Sequence, residues 1–147
     1  MKKRILSIMF AICMVLILMP QAAFAANDDH TDLQSKLTAG GTVKLEKDYT
    51  IDSTLEVKKG VTLDLDGHVI KMSDRGSGSV IKVNPGAILT LQDSSPTAVH
   101  AGDNAYLPCG GVLTGGSVGD TGNNRDGGGG VYVYSGSFTM NGGTIYD

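Results

Sequence analysis

The stretch Val57-Lys58-Lys59-Gly60-Val61-Thr62-Leu63-Asp64-Leu65-Asp66 returns 26 residues later as Val83-Asn84-Pro85-Gly86-Ala87-Ile88-Leu89-Thr90-Leu91-Gln92. In both copies apolar and polar residues alternate, and a glycine turn interrupts them, which is the period of short strands rather than of helices. A second echo, Leu113-Thr114-Gly115-Gly116-Ser117-Val118, returns 27 residues on as Met140-Asn141-Gly142-Gly143-Thr144-Ile145. A repeat of that length built from short strands predicts a stacked array, in which each unit buries its apolar face only against its neighbours.

Working outward, Val43 and Leu45, Tyr49 and Ile51, Leu55 and Val57, then Val61, Leu63 and Leu65 each sit two apart, with Lys47-Asp48, Asp52-Ser53 and Lys58-Lys59-Gly60 as turns between them. Val69 with Ile70 or Met72 continues the series. Ser73 to Ser79 reads as an exposed loop, and the alternation fades again between Asp93 and Pro108. From Gly102 onward the chain holds 14 of its 21 glycines. Because they run directly into Val131-Tyr132-Val133-Tyr134, Phe138-Thr139-Met140 and Thr144-Ile145-Tyr146, they are read as tight corners and close backbone approach rather than as a flexible linker.

Ahead of the strands, Asp29 or Thr31 is placed to cap a short helix through about Leu37 or Thr38, with Leu33 and Leu37 on one face and Gly40-Gly41 ending it. Packed over the first strands, such a helix shields apolar side chains and blocks a sheet edge. Thr144-Ile145-Tyr146-Asp147 reads as the middle of a unit, so the strand array is expected to be incomplete at the C-terminus or to close by end-to-end self-association.

Lys2, Lys3 and Arg4 precede an apolar run from Ile5 to Met19, followed by Pro20 and Ala23-Phe24-Ala25, the pattern of a signal peptide cleaved after Ala25 or Ala26. As a membrane anchor the run is short against the roughly 20 residues a span needs. The expected organisation is residues 1–25 as signal peptide, 26–41 as lead-in and cap helix, and 42–147 as strand repeats. The protein is expected to be secreted or on the cell surface. Removing three basic residues leaves nine against 15 acidic ones. A surface of that sign makes nucleic acid and anionic membranes poor partners. Only Cys109 remains after cleavage, so no internal disulfide forms.

Leu63-Asp64-Leu65-Asp66-Gly67-His68-Val69-Ile70, together with Gly129-Gly130-Val131-Tyr132-Val133 and Gly136 to Ile145, resembles secreted bacterial proteins of the pectin-lyase-like superfamily. The resemblance covers roughly residues 31–147. It implies an all-β fold, a right-handed single-stranded parallel β-helix of three to four turns with a short N-terminal cap helix. The glycine-rich version looks most like repeat regions of large surface proteins, which implies an adhesin-like or glycan-contacting module. The alternative is the N-terminal part of a polysaccharide lyase or glycoside hydrolase whose catalytic coils lie elsewhere.

For chemistry, several carboxylates would have to converge, since calcium takes six to eight oxygens. Asp64 and Asp66 face away from Leu63 and Leu65, but their repeat equivalents are Thr90 and Gln92, which breaks the carboxylate line. His68 beside Asp66 is either a base or a solvated turn residue. Asp120, Asn123 and Asp126 lie in the densest polar loop, either a calcium site or a plain surface loop. No cofactor other than calcium is implied. Tyr132 and Tyr134 are expected to face outward when Val131 and Val133 face inward, where their rings can stack on a sugar or a partner surface, or pack on their own neighbours. No catalytic residue is assigned.

Overall fold

The computed structural model describes residues 28–73, 78–117 and 129–146. Helix α1 spans Asp28–Ala39. Eleven strands follow among the described residues: β1 Gly41–Lys44, β2 Tyr49–Ile51, β3 Leu55–Val57, β4 Gly60–Asp64, β5 Val69–Met72, β6 Ile81–Val83, β7 Ile88–Gln92, β8 Val112–Thr114, β9 Val131–Val133, β10 Ser137–Met140 and β11 Thr144–Tyr146. Gly40, between the helix and β1, and Gly41, the first residue of β1, have φ of 78° and 79°, the left-handed region that ends a helix at low cost.

The strands form three parallel sheets, ordered β1-β4-β7-β10, β2-β5-β8-β11 and β3-β6-β9. Every strand therefore pairs with the one three places along the chain, and consecutive strands belong to different sheets. Register converts this order into columns of inward side chains. Leu55, Ile81 and Val131 form one, and Val57, Val83 and Val133 another. Val61, Leu89 and Phe138 form a third, Val43, Leu63, Leu91 and Met140 a fourth, and Tyr49, Ile70, Leu113 and Ile145 a fifth. Most of these side chains are buried in one core that also takes in Leu33 and Leu37 of α1. On the outer face of the first sheet the same register aligns Thr42, Thr62, Thr90 and Thr139, the kind of cross-strand threonine series that supports strand pairing.

This arrangement corrects the expected all-β, single-stranded right-handed β-helix. The described chain is three short parallel sheets with strands side by side plus a 12-residue helix, mixed α/β in character. The physical reason is the helix. Leu33 and Leu37 are fully buried in the strand core, so α1 is one of its walls rather than an accessory to an all-β body. Asp29 does not cap it either. Its carboxylate accepts from the Thr50 N–H at 3.1 Å and pairs with Lys47, tying the helix to β2.

Both repeats also change alignment. Val57 lies opposite Val83 at the 26-residue spacing, but Leu63 lies opposite Leu91 rather than Leu89, because the chain between β6 and β7 is longer than that between β3 and β4. Leu63 and Leu89 still share one core. The second echo is not a pairing: Leu113 faces Ile145 and Met140 faces Leu91. The glycine reading does hold at Gly116, where a Cβ would sit 1.6 Å from the Gly129 carbonyl oxygen.

Residues between β7 and β8 form a folded loop with a 3₁₀ turn at Gly102–Asn104. Leu107 packs on Val69 and Val112 in a small second cluster. Its base is pinned by Asp93, whose carboxylate accepts from Gly67 N–H and Gly111 N–H, each at 2.7 Å.

Candidate functional site

The turn Leu65-Asp66-Gly67-His68 closes with the His68 N–H on the Leu65 carbonyl at 2.8 Å. Both central residues have positive φ, 47° at Asp66 and 78° at Gly67, as in a type I′ turn. Asp66 occupies that region without being a glycine, and its carboxylate is held there. The hydroxyls of Ser94 and Ser95 donate to Oδ1 at 2.8 and 2.6 Å, and Lys44 Nζ lies 3.1 Å from Oδ2. Those contacts, Ser95 first, then Ser94 and Lys44, hold the Asp66 carboxyl down to about 2.

Asp64 is buried. Its Oδ1 accepts from the Asp66 and Ser94 N–H groups at 3.0 and 2.9 Å, and its Oδ2 from Gln92 Nε2 at 3.1 Å. Burial pushes its pKa up, but the Ser94 N–H, the Gln92 amide and the Asp66 N–H together outweigh it and leave the group below the usual carboxylate range. Asp64, Asp66 and Asp93 thus hold the β4–β5 turn against the loop after β7. Lone pairs committed to these donors are the ones a hard cation would need. Among the described residues no group of three or more His, Cys, Asp or Glu is arranged to hold a metal ion. Asp120, Asn123 and Asp126 lie outside the described residues.

His68 meets Asp48 rather than Asp66. Its Nδ1 lies 3.2 Å from Asp48 Oδ1, which also accepts from the Val69 N–H at 3.0 Å, while Asn104 Nδ2 donates to Oδ2 at 2.9 Å. Three segments distant in sequence converge there. Partial burial raises the Asp48 pKa, but the Val69, Asn104 and His68 contacts overcome it and lower the group. The chemical capacity of this pair is to hold the histidine ring and the loop carrying Asn104 in place.

Tyr132 and Tyr134 do face outward, as the inward register of Val131 and Val133 requires. Their ring centroids are 6.0 Å apart with planes inclined by 36°. Lys82, opposite Tyr132 on β6, places Nζ 5.5 Å from the Tyr134 centroid. Tyr134 is 52% exposed. Next along the same row is Glu56, which pairs with Lys58. The result is an aromatic pair, Tyr132 half-buried and Tyr134 exposed, with a cation over the Tyr134 ring, which offers an apolar ring surface beside a charge. Lys82 was legible: Ile81-Lys82-Val83 repeats the inward-outward-inward phase of Val131-Tyr132-Val133. Asp48 and Asp93 carried no such signal, because their partners come from loop closure.

Comparisons with protein families, with curated proteins and with solved structures gave no match.

Proposed function

We propose that this protein is an exported interaction module of a bacterial cell surface, adhesin-like or glycan-contacting, which acts by non-covalent multipoint contact. The single observation that supports glycan contact is the pair Tyr132 and Tyr134 with the Lys82 ammonium over the exposed Tyr134 ring. Sugars present apolar C–H faces and polar rims, and a tyrosine beside a cation answers both. Export rests on Lys2, Lys3, Arg4 and the apolar run Ile5 to Met19, read as a signal peptide. The sequence resemblance to secreted surface proteins of the pectin-lyase-like superfamily adds to that reading, as does the acid-rich composition, which disfavours nucleic acid.

A glycan array on the protein, with and without calcium, tests the proposal. The expected outcome is binding to a defined subset of polysaccharides that Tyr134→Ala weakens about tenfold, in the range of an aromatic contact of about 1 kcal/mol or more. Lys82→Ala should weaken binding to acidic glycans more than to neutral ones. No binding on the array, or binding indifferent to both variants, would sink the pair as a contact site. Release of unsaturated or reducing ends from pectic substrates would favour the lyase or hydrolase alternative. N-terminal sequencing of the exported species checks cleavage after Ala25 or Ala26.

A further inference from the structure

Lys82 has a counterpart on another face. Ile70-Lys71-Met72 on β5 repeats the phase of Ile81-Lys82-Val83 on β6, with the flanking residues buried in the shared core and the lysine turned outward. Strand β5 lies in the second sheet and β6 in the third, so the two lysines leave the core in different directions. Each meets a tyrosine ring. Lys71 Nζ is 5.9 Å from the Tyr106 centroid, as Lys82 Nζ is 5.5 Å from that of Tyr134. Tyr106 is 58% exposed, slightly more than Tyr134.

Tyr106 comes from the loop after β7, yet the backbone that carries it is fixed from both sides. Two residues before it, Asn104 donates from Nδ2 to Asp48 Oδ2 at 2.9 Å, and its carbonyl accepts the Leu107 N–H at 3.0 Å. One residue after it, Leu107 is buried against Val69 and Val112. The apolar contact of the loop is thus made by Leu107, while the ring beside it stays in solvent. A ring presented on anchored backbone loses little freedom on contact, which favours recognition.

Charge narrows the ligand. Among the described residues no carboxylate lies within ion-pair distance of Lys71. Its neighbours across the strands are Thr50 and Thr114, neither of them charged. Lys82 differs, because Glu56 lies opposite it on β3. An anionic group therefore reaches Lys71 without displacing an acid, while an apolar C–H face meets Tyr106. An acidic sugar carries both on one ring.

We propose that Lys71 and Tyr106 form a second glycan-contact site, selective for acidic sugars, which makes the module divalent. The class of ligand rests on the glycan-contact reading above; the place does not. Because the two sites face different ways, separate glycan chains occupy them at once and the protein ties the chains together.

Nuclear magnetic resonance titration of the full chain with a mannuronate hexamer tests the site, because amides near Tyr106 and near Tyr134 report separately. Expected are saturable shifts at Ala105–Leu107 whose affinity Lys71→Gln or Tyr106→Ala weakens about fivefold, with the response at Tyr132–Tyr134 unchanged. Cellohexaose, an uncharged counterpart of the same linkage, should leave the Tyr106 amides still. Long mannuronate chains should turn turbid with the protein, and Tyr106→Ala should abolish the turbidity while binding persists. No shift at Ala105–Leu107, shifts indifferent to both variants, or equal shifts with cellohexaose or a glutamate hexapeptide would overturn the second site. Turbidity that survives Tyr106→Ala would overturn the divalency. A response at the Tyr134 amides alone overturns the second site and leaves the first standing; a response at the Tyr106 amides alone overturns the divalency and the first site together.

Discussion

At one end of the stacked sheets, α1 seals the core; at the other, β9, β10 and β11 leave the core columns emerging at the surface. At the covered end, side chains of α1 meet backbone groups on the edges of β2 and β3. The Gln34 amide exchanges two hydrogen bonds with the Glu56 backbone, at 3.0 and 2.8 Å, and so imitates a neighbouring strand. The Asp29 carboxylate takes the Thr50 N–H. Tyr49, buried beneath the helix, donates to Asp32 and accepts from Lys36, each at 2.8 Å, with Lys47 over its ring. Among the described residues no helix lies over β9–β11, and residues 129–146 carry no charged side chain. The difference teaches that an edge of parallel strands is finished by backbone mimicry as much as by apolar cover.

The largest expected contrast between the ends is in truncation of the residues that close or terminate the core. Leu37→Ala should cost about 3 kcal/mol, the usual result of a cavity at a fully buried leucine. Met140→Ala should cost less than about 1 kcal/mol, because much of its side chain is already wet. Urea denaturation measures both, and equal losses would show that the β9–β11 layer is as well packed as the layer under α1.

A middle-sized effect concerns how the last layer is attached. Gly116→Ala would drive a Cβ into the Gly129 backbone, and neither side of that contact is a flexible side chain. The expected loss is about 1–3 kcal/mol, accompanied by faster amide exchange in β9–β11 than in β1–β3. Gly60→Ala, where a Cβ meets nothing within 4 Å, is the matched control. Its stability should change by less than about 0.5 kcal/mol.

The smallest expected effect is with acid. Asp66 titrates at about 2 when folded against 3.8 ordinarily, so the folded state binds the proton more weakly. Its contribution is fully present above the ordinary value and is lost as pH falls from about 4 through about 2. Asp48, Asp64, Asp29 and Asp32 are lowered too and act in the same direction. The denaturation midpoint should therefore fall over that window, and Asp66→Asn should flatten the fall. Residues 129–146 carry no carboxylate side chain. Exchange in β9–β11 should accordingly follow the rest of the molecule rather than lead it.

Alternation made most of the strands legible. The two-residue spacing from Val43 to Met72 named residues that are buried, including Leu45, Tyr49, Ile51, Leu55, Leu63 and Leu65. Helix α1 was legible from Leu33 and Leu37, as was its packing over the first strands; the all-β expectation failed because the helix was read as an accessory cap, whereas the chain is three short parallel sheets and a 12-residue helix that share one core. The carboxylate line was read as broken with Thr90 opposite Asp64 and Gln92 opposite Asp66, but the register is shifted by two and places Thr90 opposite Thr62 and Gln92 opposite Asp64. What replaced it, the serine hydroxyls and Asp93 arriving from the next loop, depended on how that loop returns. His68 was read beside Asp66, its sequence neighbour. Chain reversal at the turn gives it to Asp48 instead.

One corner of the molecule is crossed three times by connections of unequal length. Two residues separate β3 from β4, four separate β6 from β7, and three separate β9 from β10. The pairings on either side of this corner are nevertheless kept in phase. Length there is decoupled from the packing it joins, so descendants of this sequence can gain or shed residues at the bend without renegotiating the interior. The same freedom makes it a position where a foreign peptide can be grafted for display.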